Sequence, residues 1–178
     1  MTTMTAFSPN IRSFKNDQSG TALIELAVVL PILLAISLGV FEFGNAIYGR
    51  HLIENGVRDA ARYAAGLKSS IADGDVKCIA LTGGIQGGNC TPGTSPSCTT
   101  ACRVAWWNNA STITVTPTPV PNGPTSCGTT QCYRGPDPIM LVTVSTDVPY
   151  AGLGFLGYFG LSNLTMHVQH EERLYGIR

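Results

Sequence analysis

The chain has 178 residues, a formal net charge of +0 and only 12% charged residues. So few charges, evenly balanced, provide neither the basic surface that nucleic acid requires nor a polybasic contact with lipid headgroups. We therefore expect no nucleic-acid partner. Outside its longest apolar run, the chain is long enough for one small domain.

The N-terminal region begins with a basic, polar leader. Residues 12–19 carry Arg12 and Lys15 and are followed by Gly20 and an apolar run over residues 21–41. A helix of about 20 apolar residues crosses a hydrocarbon core of ~30 Å, so the run predicts a membrane-spanning helix over residues 21–44.

The apolar run contains one carboxylate, Glu25. A charge inside a membrane helix costs roughly 2.5–3.5 kcal/mol on insertion scales, so something must offset it. A basic leader, a Gly and an apolar helix with Glu as its fifth residue are typical of a type IV prepilin-like signal. In such signals a peptidase cuts after the Gly on the cytoplasmic side. We therefore predict a cytoplasmic leader over residues 1–20 and a processing site at Gly20 and Thr21.

Two other interpretations of the run remain open. It could be a plain signal anchor with Glu25 at the membrane interface, where a carboxylate costs little. It could also be a secretory signal peptide, although the apolar core of such peptides spans only about 7–15 residues. Pro31 does not argue against a span, since membrane helices tolerate Pro when neighbouring groups satisfy the freed carbonyl.

Residues 45–67 predict an amphipathic continuation of this helix. The apolar positions recur at spacings of four and three: Ile53, Val57, Ala60, Ala64 and Leu67. The opposite face carries charges: Arg50, Glu54, Arg58 and Arg62. Ion pairs are expected from Glu54 to Arg58 and from Asp59 to Arg62. The small alanines allow close approach by a sheet or by the helix of a neighbouring subunit.

Three motifs along this helix resemble one family. They are E-L-A-V-V-L-P at 25–31, E-F-G at 42–44 and A-A-R-Y-A-A-G at 60–66. Together they resemble the TadE-like minor pilins (pseudopilins) of tight-adherence, or Flp, pili. The major Flp subunit usually has Tyr after the Glu and is much shorter, whereas this chain has Leu26. The resemblance therefore implies a minor component.

The resemblance also implies the setting in which the chain acts. It implies a role in adhesion or surface colonisation through pilus assembly or secretion. The expected partners are other pilin subunits, a prepilin peptidase, the inner-membrane assembly platform and membrane lipid. Glu25 is the candidate subunit-docking residue, because it could pair with the α-amine of a processed neighbour.

Six cysteines all follow the predicted helix: Cys78, Cys90, Cys98, Cys102, Cys127 and Cys132. An even number confined to the exported part favours disulfides in an oxidising compartment. Fifteen pairings are possible, and the local pairs 98/102, 127/132 and 78/90 form one economical set. Zinc or redox chemistry is less favoured, since no C-x-x-C pair is present and His51, His167 and His170 are not clustered. No catalytic motif or cofactor site is apparent, so an enzyme is not expected.

The remaining elements predict a small sheet with irregular connections. Helices are expected over residues 71–82 and 98–108, with Trp106 and Trp107 as core anchors or as a binding platform. Residues 116–124 predict a turn region because of their prolines. Strands are expected over residues 112–116, 139–148 and 164–170, the last with His167 and His170 half exposed. The apolar segment 149–161 either covers the sheet or touches a membrane or another subunit.

These elements predict an α+β, pilin-like fold. A long N-terminal helix would pack its upper half on an antiparallel sheet of three or four strands, with disulfide-closed loops, in a periplasmic or extracellular domain over residues 45–178. The predicted function is structural: a minor pilin of the bacterial inner membrane, or of the surface pilus. The alternative is a single-pass anchored periplasmic binding or redox domain that forms no filament.

Overall fold

A computed structural model describes residues 19–67, 71, 73–85, 98, 102–128, 132–152, 154–160 and 164–175. The helices are α1 (Ser19–Gly66), α2 (Asp73–Thr82) and the short α3 (Pro124–Cys127), and the strands are β1 (Ile113–Val120), β2 (Ile139–Pro149) and β3 (Thr165–Arg173). Two 3-10 turns lie at Ala110–Thr112 and Phe155–Phe159. The predicted α+β class with a long N-terminal apolar helix and a small antiparallel sheet is confirmed. The chain divides between Phe41 and Glu42 into two compact units.

The core of the second unit forms where α1 meets the sheet. Ile53, Val57, Ala60 and Ala64 are fully buried, and Leu67 packs against the same cluster. This apolar stripe is therefore placed as its periodicity predicts. The cluster also contains Val142, Val144 and Val148 of β2, so the sheet supplies the apolar partner of the stripe.

The sheet has three strands in the order β1-β2-β3, and both pairs are antiparallel. Val144 of the central strand lies between Val115 of β1 and His170 of β3. Along β2, buried residues alternate with less buried ones from Val142 to Val148, as expected of a strand with one face on a core.

The turn predicted over residues 116–124 is wrong in its first half. β1 continues through Pro117 and Pro119 to Val120 and pairs with β2 along its whole length. β1 is an edge strand of this sheet. A proline fits an edge strand when the position of its missing N–H faces away from the neighbouring strand. Two prolines at alternate positions meet this condition together.

The helix predicted over residues 98–108 is also wrong for the part of it that the structure describes. Residues 102–108 form turns. The amide of Arg103 donates to the Leu81 carbonyl of α2 (2.8 Å), and the amide of Cys98 donates to the Asn108 carbonyl (3.0 Å). The Arg103 amide is therefore not available for a helical hydrogen bond. The Cys98–Asn108 bond joins the two ends of a segment that a helix over 98–108 would hold about 15 Å apart.

Asn122 organises the connection between β1 and β2. Its side chain is fully buried. The amide nitrogen donates to the carbonyl of Tyr133 (2.8 Å), and the amide oxygen accepts from the Tyr133 N–H (2.7 Å). The backbone N–H of Asn122 donates to Asp137 (2.7 Å). One buried amide thus satisfies backbone groups of residues 133–136, which form no helix or strand.

Candidate functional site

The first part of α1 presents a mostly apolar surface. Thirteen large apolar side chains there are 46–70% exposed: Leu23, Ile24, Leu26, Val28, Val29, Leu30, Ile32, Leu33, Leu34, Ile36, Leu38, Val40 and Phe41. Over its most apolar 18 residues, α1 has a mean hydropathy of 2.6, and none of that window is buried. By length and composition, α1 is a candidate membrane span near the N-terminus.

Polar groups are rare in this apolar part of α1. Ser37 donates its hydroxyl to the Leu33 carbonyl (2.8 Å), so its polar atom is satisfied within the helix, as a lipid environment requires. The helix passes through Pro31 without ending.

The predicted processing and docking residues lie at the start of α1. Gly20 is exposed in the first turn, and among the described residues no neighbouring element lies within 4 Å of the position that a Cβ would occupy. Glu25 is exposed one turn beyond Thr21. The part of the chain that the structure describes offers Glu25 no hydrogen bond or ion pair. Any group that pairs with this carboxylate would therefore come from outside that part.

A second carboxylate of α1, Glu42, is in the opposite situation. It is fully buried. The hydroxyl of Tyr150 donates to the backbone carbonyl of Glu42 (3.1 Å) and accepts from the side-chain amide of Asn45 (3.2 Å). Gly152 lies so close that a Cβ there would overlap the Glu42 carboxylate. Residues 150–152 are thereby fixed against one turn of α1.

The surroundings of Tyr150 change its acidity. Burial raises the pKa of the hydroxyl above its usual range, the Asn45 donor acts in the opposite direction, and the Glu42 carboxylate raises the pKa further. The ring of Trp106 meets the Tyr150 ring edge to face, with centroids 5.4 Å apart. These four side chains form the base cluster: Glu42, Asn45, Trp106 and Tyr150. The contacts in this cluster between residues far apart in the sequence were not predicted.

Two glycines of α1 leave room for the rings of Trp106 and Trp107. Gly49 faces the ring of Trp106, and Gly56 faces the ring of Trp107 and the carbonyl of Ala80. A Cβ would lie 2.6 Å from Trp106 at the first position and 2.9 Å from Trp107 at the second. Trp107 is 1% exposed, and Trp106 is half buried. Trp107 is therefore a core anchor, and neither ring forms an open stacking platform.

The charged face of α1 pairs differently from the prediction. Glu54 pairs with Arg50 (2.9 Å) instead of Arg58, and Asp59 pairs with Arg103 of the 102–108 segment (2.6 Å) instead of Arg62. Both predicted pairs are wrong: Glu54 pairs with the preceding turn of α1 instead of the following one, and Asp59 pairs with a segment that packs beside the helix. The exposed Arg50–Glu54 pair contributes roughly 0.3–0.5 kcal/mol.

The cysteines are oxidised where the structure describes them. Cys98 and Cys102 form a disulfide, which is one pair of the predicted set. Cys78 and Cys132 are disulfide-bonded as well. Cys90 and the side chain of Cys127 lie outside the described residues, so the pairs predicted for them are not seen here.

The histidines lie on exposed or half-buried positions beside carboxylates. His51 is 3.5 Å from Glu54, while His167 contacts Asp147 (2.7 Å) and His170 contacts Glu172 (3.1 Å). Within the described ranges, no group of three or more potential ligands is arranged to hold a metal ion.

The fold and these sites define the class: an α+β protein with a candidate N-terminal membrane helix. The family model described as TadE-like protein matches residues 20–62, which confirms the resemblance seen in the sequence. The match starts at Gly20, includes Glu25 and Glu42, and ends before α2 and the sheet. It indicates a protein associated with the Tad (Flp) pilus. No curated protein and no solved structure matches the chain.

Proposed function

We propose that the chain is a minor pilin, or pseudopilin, that takes part in assembling a Flp-type pilus or a related secretion apparatus. Residues 21–44 would hold it in the bacterial inner membrane, with residues 45–178 in the periplasm or later on the surface pilus. The observation that carries this proposal is the exposed Glu25 on an otherwise apolar helix, inside a TadE-like match that starts at Gly20.

The first step of the proposed role is removal of the leader. Gly20 lies in the first turn of α1 directly before the apolar helix surface, and no described residue lies within 4 Å of the position that its Cβ would occupy. The proposed cut is at the peptide bond from Gly20 to Thr21. Cleavage gives Thr21 a new α-amine, which is protonated near neutral pH.

The second step is docking through Glu25. When processed subunits stack with an axial offset, the Glu25 carboxylate of one subunit lies beside the Thr21 amine of the next. In an apolar setting an unpaired charge is costly and a paired one is tolerated, so the pair selects subunits that are in register. The partners are then other pilin subunits, the prepilin peptidase and the membrane assembly platform.

Mass spectrometry of the membrane-extracted protein tests processing. We expect an N-terminus at Thr21 in cells with an intact pilus system, and the full leader after Gly20→Leu. Gly44→Leu is the matched control, since Gly44 lies on the same helix with no atom near its Cβ position, and it should be processed normally. A mature protein that keeps its leader in such cells would show that this is a plain membrane anchor.

Piliation tests the docking step separately. Glu25→Gln keeps the size and removes the charge, so membrane insertion should persist while surface pilus number falls; Glu25→Asp should be intermediate. Glu54→Gln is the control, because Glu54 is a carboxylate on the charged face of α1 that pairs with Arg50. Normal pilus number with Glu25→Gln would leave Glu25 without a docking role. Unprocessed protein and normal piliation together would favour the alternative, an anchored periplasmic domain outside the filament.

A further inference from the structure

The two edges of the sheet differ in what they offer to another strand. On β1, Pro117 and Pro119 lack N–H groups and pair with Val142 and Met140 at positions where no ladder hydrogen bond is made. Two neighbouring outward-facing positions of β1 therefore have no backbone N–H to donate. Proline on an edge strand prevents pairing with further strands.

The outer edge of β3 keeps its donors. The amide of Leu174 donates to Met140 of β2 (2.8 Å), so the even-numbered residues of β3 direct their backbone groups toward β2. Alternation then directs the N–H and C=O groups of His167, Gln169 and Glu171 outward. Tyr175, two residues past the end of β3, follows the same alternation, and its N–H donates to the Ala65 carbonyl of α1 (3.1 Å).

A groove of about 290 Å³ runs along this edge. One wall is formed by four consecutive residues of β3, 167–170, and the other by Arg50, Glu54 and Arg58 of α1. Consecutive residues of a strand point to opposite faces, so a groove lined by four in a row lies at the strand edge. The Arg62–Glu172 pair (3.7 Å) lies one turn of α1 beyond Arg58 and bounds the groove on that side.

The charge of the groove selects its occupant. Arg50 pairs with Glu54, and the two histidines lie beside Asp147 and Glu172. Arg58 is exposed and has no ion pair among the described residues. The groove therefore combines outward backbone groups with one uncompensated guanidinium, which binds a carboxylate strongly.

We propose that this groove docks an extended segment of a partner protein as a fourth strand beside β3, with a carboxylate of that segment on Arg58. The main-chain hydrogen bonds of His167, Gln169 and Glu171 give affinity, and Arg58 gives selectivity for an acidic segment. The charged side chains of β3 discourage indiscriminate pairing at this edge. This docking goes beyond the proposed pilin role and does not depend on it.

Two matched synthetic peptides test the proposal on the full chain in detergent micelles. Both alternate Val and Thr over about seven residues, a usual strand length; one has a central Glu and the other a central Lys. Fluorescence anisotropy of labelled peptide gives the affinity, and NMR hydrogen exchange follows the amides of His167, Gln169 and Glu171. We expect the Glu peptide to slow exchange at these amides and to bind about tenfold more tightly than the Lys peptide.

Three variants locate the binding. Gln169→Pro removes an outward donor and no hydrogen bond to β2, so it should abolish binding, whereas Val115→Pro makes the same change on the β1 edge and should leave binding intact. Arg58→Gln, at an exposed position, should erase the preference for Glu over Lys while the fold stays unchanged. Equal affinity for both peptides, no slowed exchange, or full binding by Gln169→Pro would overturn the proposal. Concentration-dependent protection of the same amides without peptide would also overturn it, by identifying a second copy of the chain as the occupant.

Discussion

The two parts of α1 are built from different apolar residues. Before Glu42 the side chains are large and branched, and they are exposed along the whole segment; Leu30, for example, is 46% exposed. After Glu42 the buried face of α1 contains Ile53 and Val57 together with small residues (Gly49, Gly56, Ala60 and Ala64), and β2 and the tryptophan pair pack on it. Large side chains suit contact with lipid, whereas small ones admit strands and aromatic rings close to the helix backbone.

The two carboxylates of α1 show the same contrast. Glu25 is exposed on the apolar part and has no pairing group in the described part of the chain, whereas Glu42 is fully buried beside Tyr150 and Gly152. The chain itself satisfies the second carboxylate. The described part of the chain provides no partner for the first, as the proposed docking role of Glu25 requires.

Truncation of one apolar side chain in each part should give the largest difference. Ile53→Ala removes a fully buried side chain and should lower the free energy of unfolding by about 2–5 kcal/mol. Leu30→Ala should change it by less than about 0.5 kcal/mol, since this side chain makes little contact with the protein. Urea unfolding followed by tryptophan fluorescence measures both, because Trp106 and Trp107 lie in the second unit. A comparable loss from Leu30→Ala would show that the first part of α1 is covered by protein.

Enlarging a glycine tests how closely the second unit packs on α1. Gly56→Leu would collide with Trp107 and with the Ala80 carbonyl, and we expect a destabilisation of about 1–3 kcal/mol. At Gly44 an added Cβ would meet nothing within 4 Å among the described residues, so Gly44→Leu should be neutral or slightly stabilising, because Leu favours helix more than Gly does. The same unfolding measurement compares them. Equal stability of the two variants would show that Gly56 is not closely packed against Trp107.

Removal of one disulfide should have a moderate effect. Cys98 and Cys102 close a short loop, so the double variant to Ser should lose about 2 kcal/mol in the chain-entropy model. The expected loss is in the second unit, and the apolar segment of α1 should keep its helicity by circular dichroism. Thiol titration of unreduced, denatured protein from the cell envelope should find these two cysteines oxidised. Reactive thiols there would argue against an oxidising compartment.

Periodicity was sufficient to predict the elements whose pattern is local. The stripe from Ile53 to Ala64 and the strands predicted at 112–116 and 164–170 follow from the spacing of apolar residues, and α2 and β2 follow from the composition of their own segments. The extension of β1 through Pro117 and Pro119 was missed because edge position is a property of the sheet and not of the segment. The turns at 102–108 were missed because their backbone hydrogen bonds go to residues outside the segment: Arg103 donates to Leu81, and Asn108 accepts from Cys98.

The base cluster was missed for the same physical reason. Glu42 and Tyr150 are 108 residues apart, and no local pattern links a carboxylate at the end of an apolar run to a tyrosine after a strand. Asp59 and Arg103, 44 residues apart, are a second case. Glu42 belongs to the E-F-G motif that carries the family resemblance. That motif drew attention to the residue, but it did not predict that its side chain is buried. In the sequence, Gly152 could have indicated that the backbone at this point lies very close to another element.

The smallest expected effect concerns the base cluster and alkaline pH. Tyr150→Phe removes the hydrogen bonds to Glu42 and Asn45 and should cost about 1 kcal/mol near neutral pH. Folding raises the pKa of Tyr150, so the folded state holds this proton more tightly than the unfolded state, whose pKa is about 10. The contribution of the hydroxyl is therefore fully present below about pH 10 and is lost as the pH rises through the folded-state pKa.

The stability difference between wild type and Tyr150→Phe isolates this contribution, since all other titrating groups are shared. It should be constant from neutral pH to about pH 10 and shrink above it. Tyr48→Phe is the control, because Tyr48 lies on the same helix and is 64% exposed; it should match wild type throughout. A difference that stayed constant into the alkaline range would mean that Tyr150 ionises equally well in both states. The burial of Glu42 and the packing of residues 150–152 against it would then not hold the hydroxyl in its protonated form, and the contrast between the two carboxylates of α1 would rest on exposure alone.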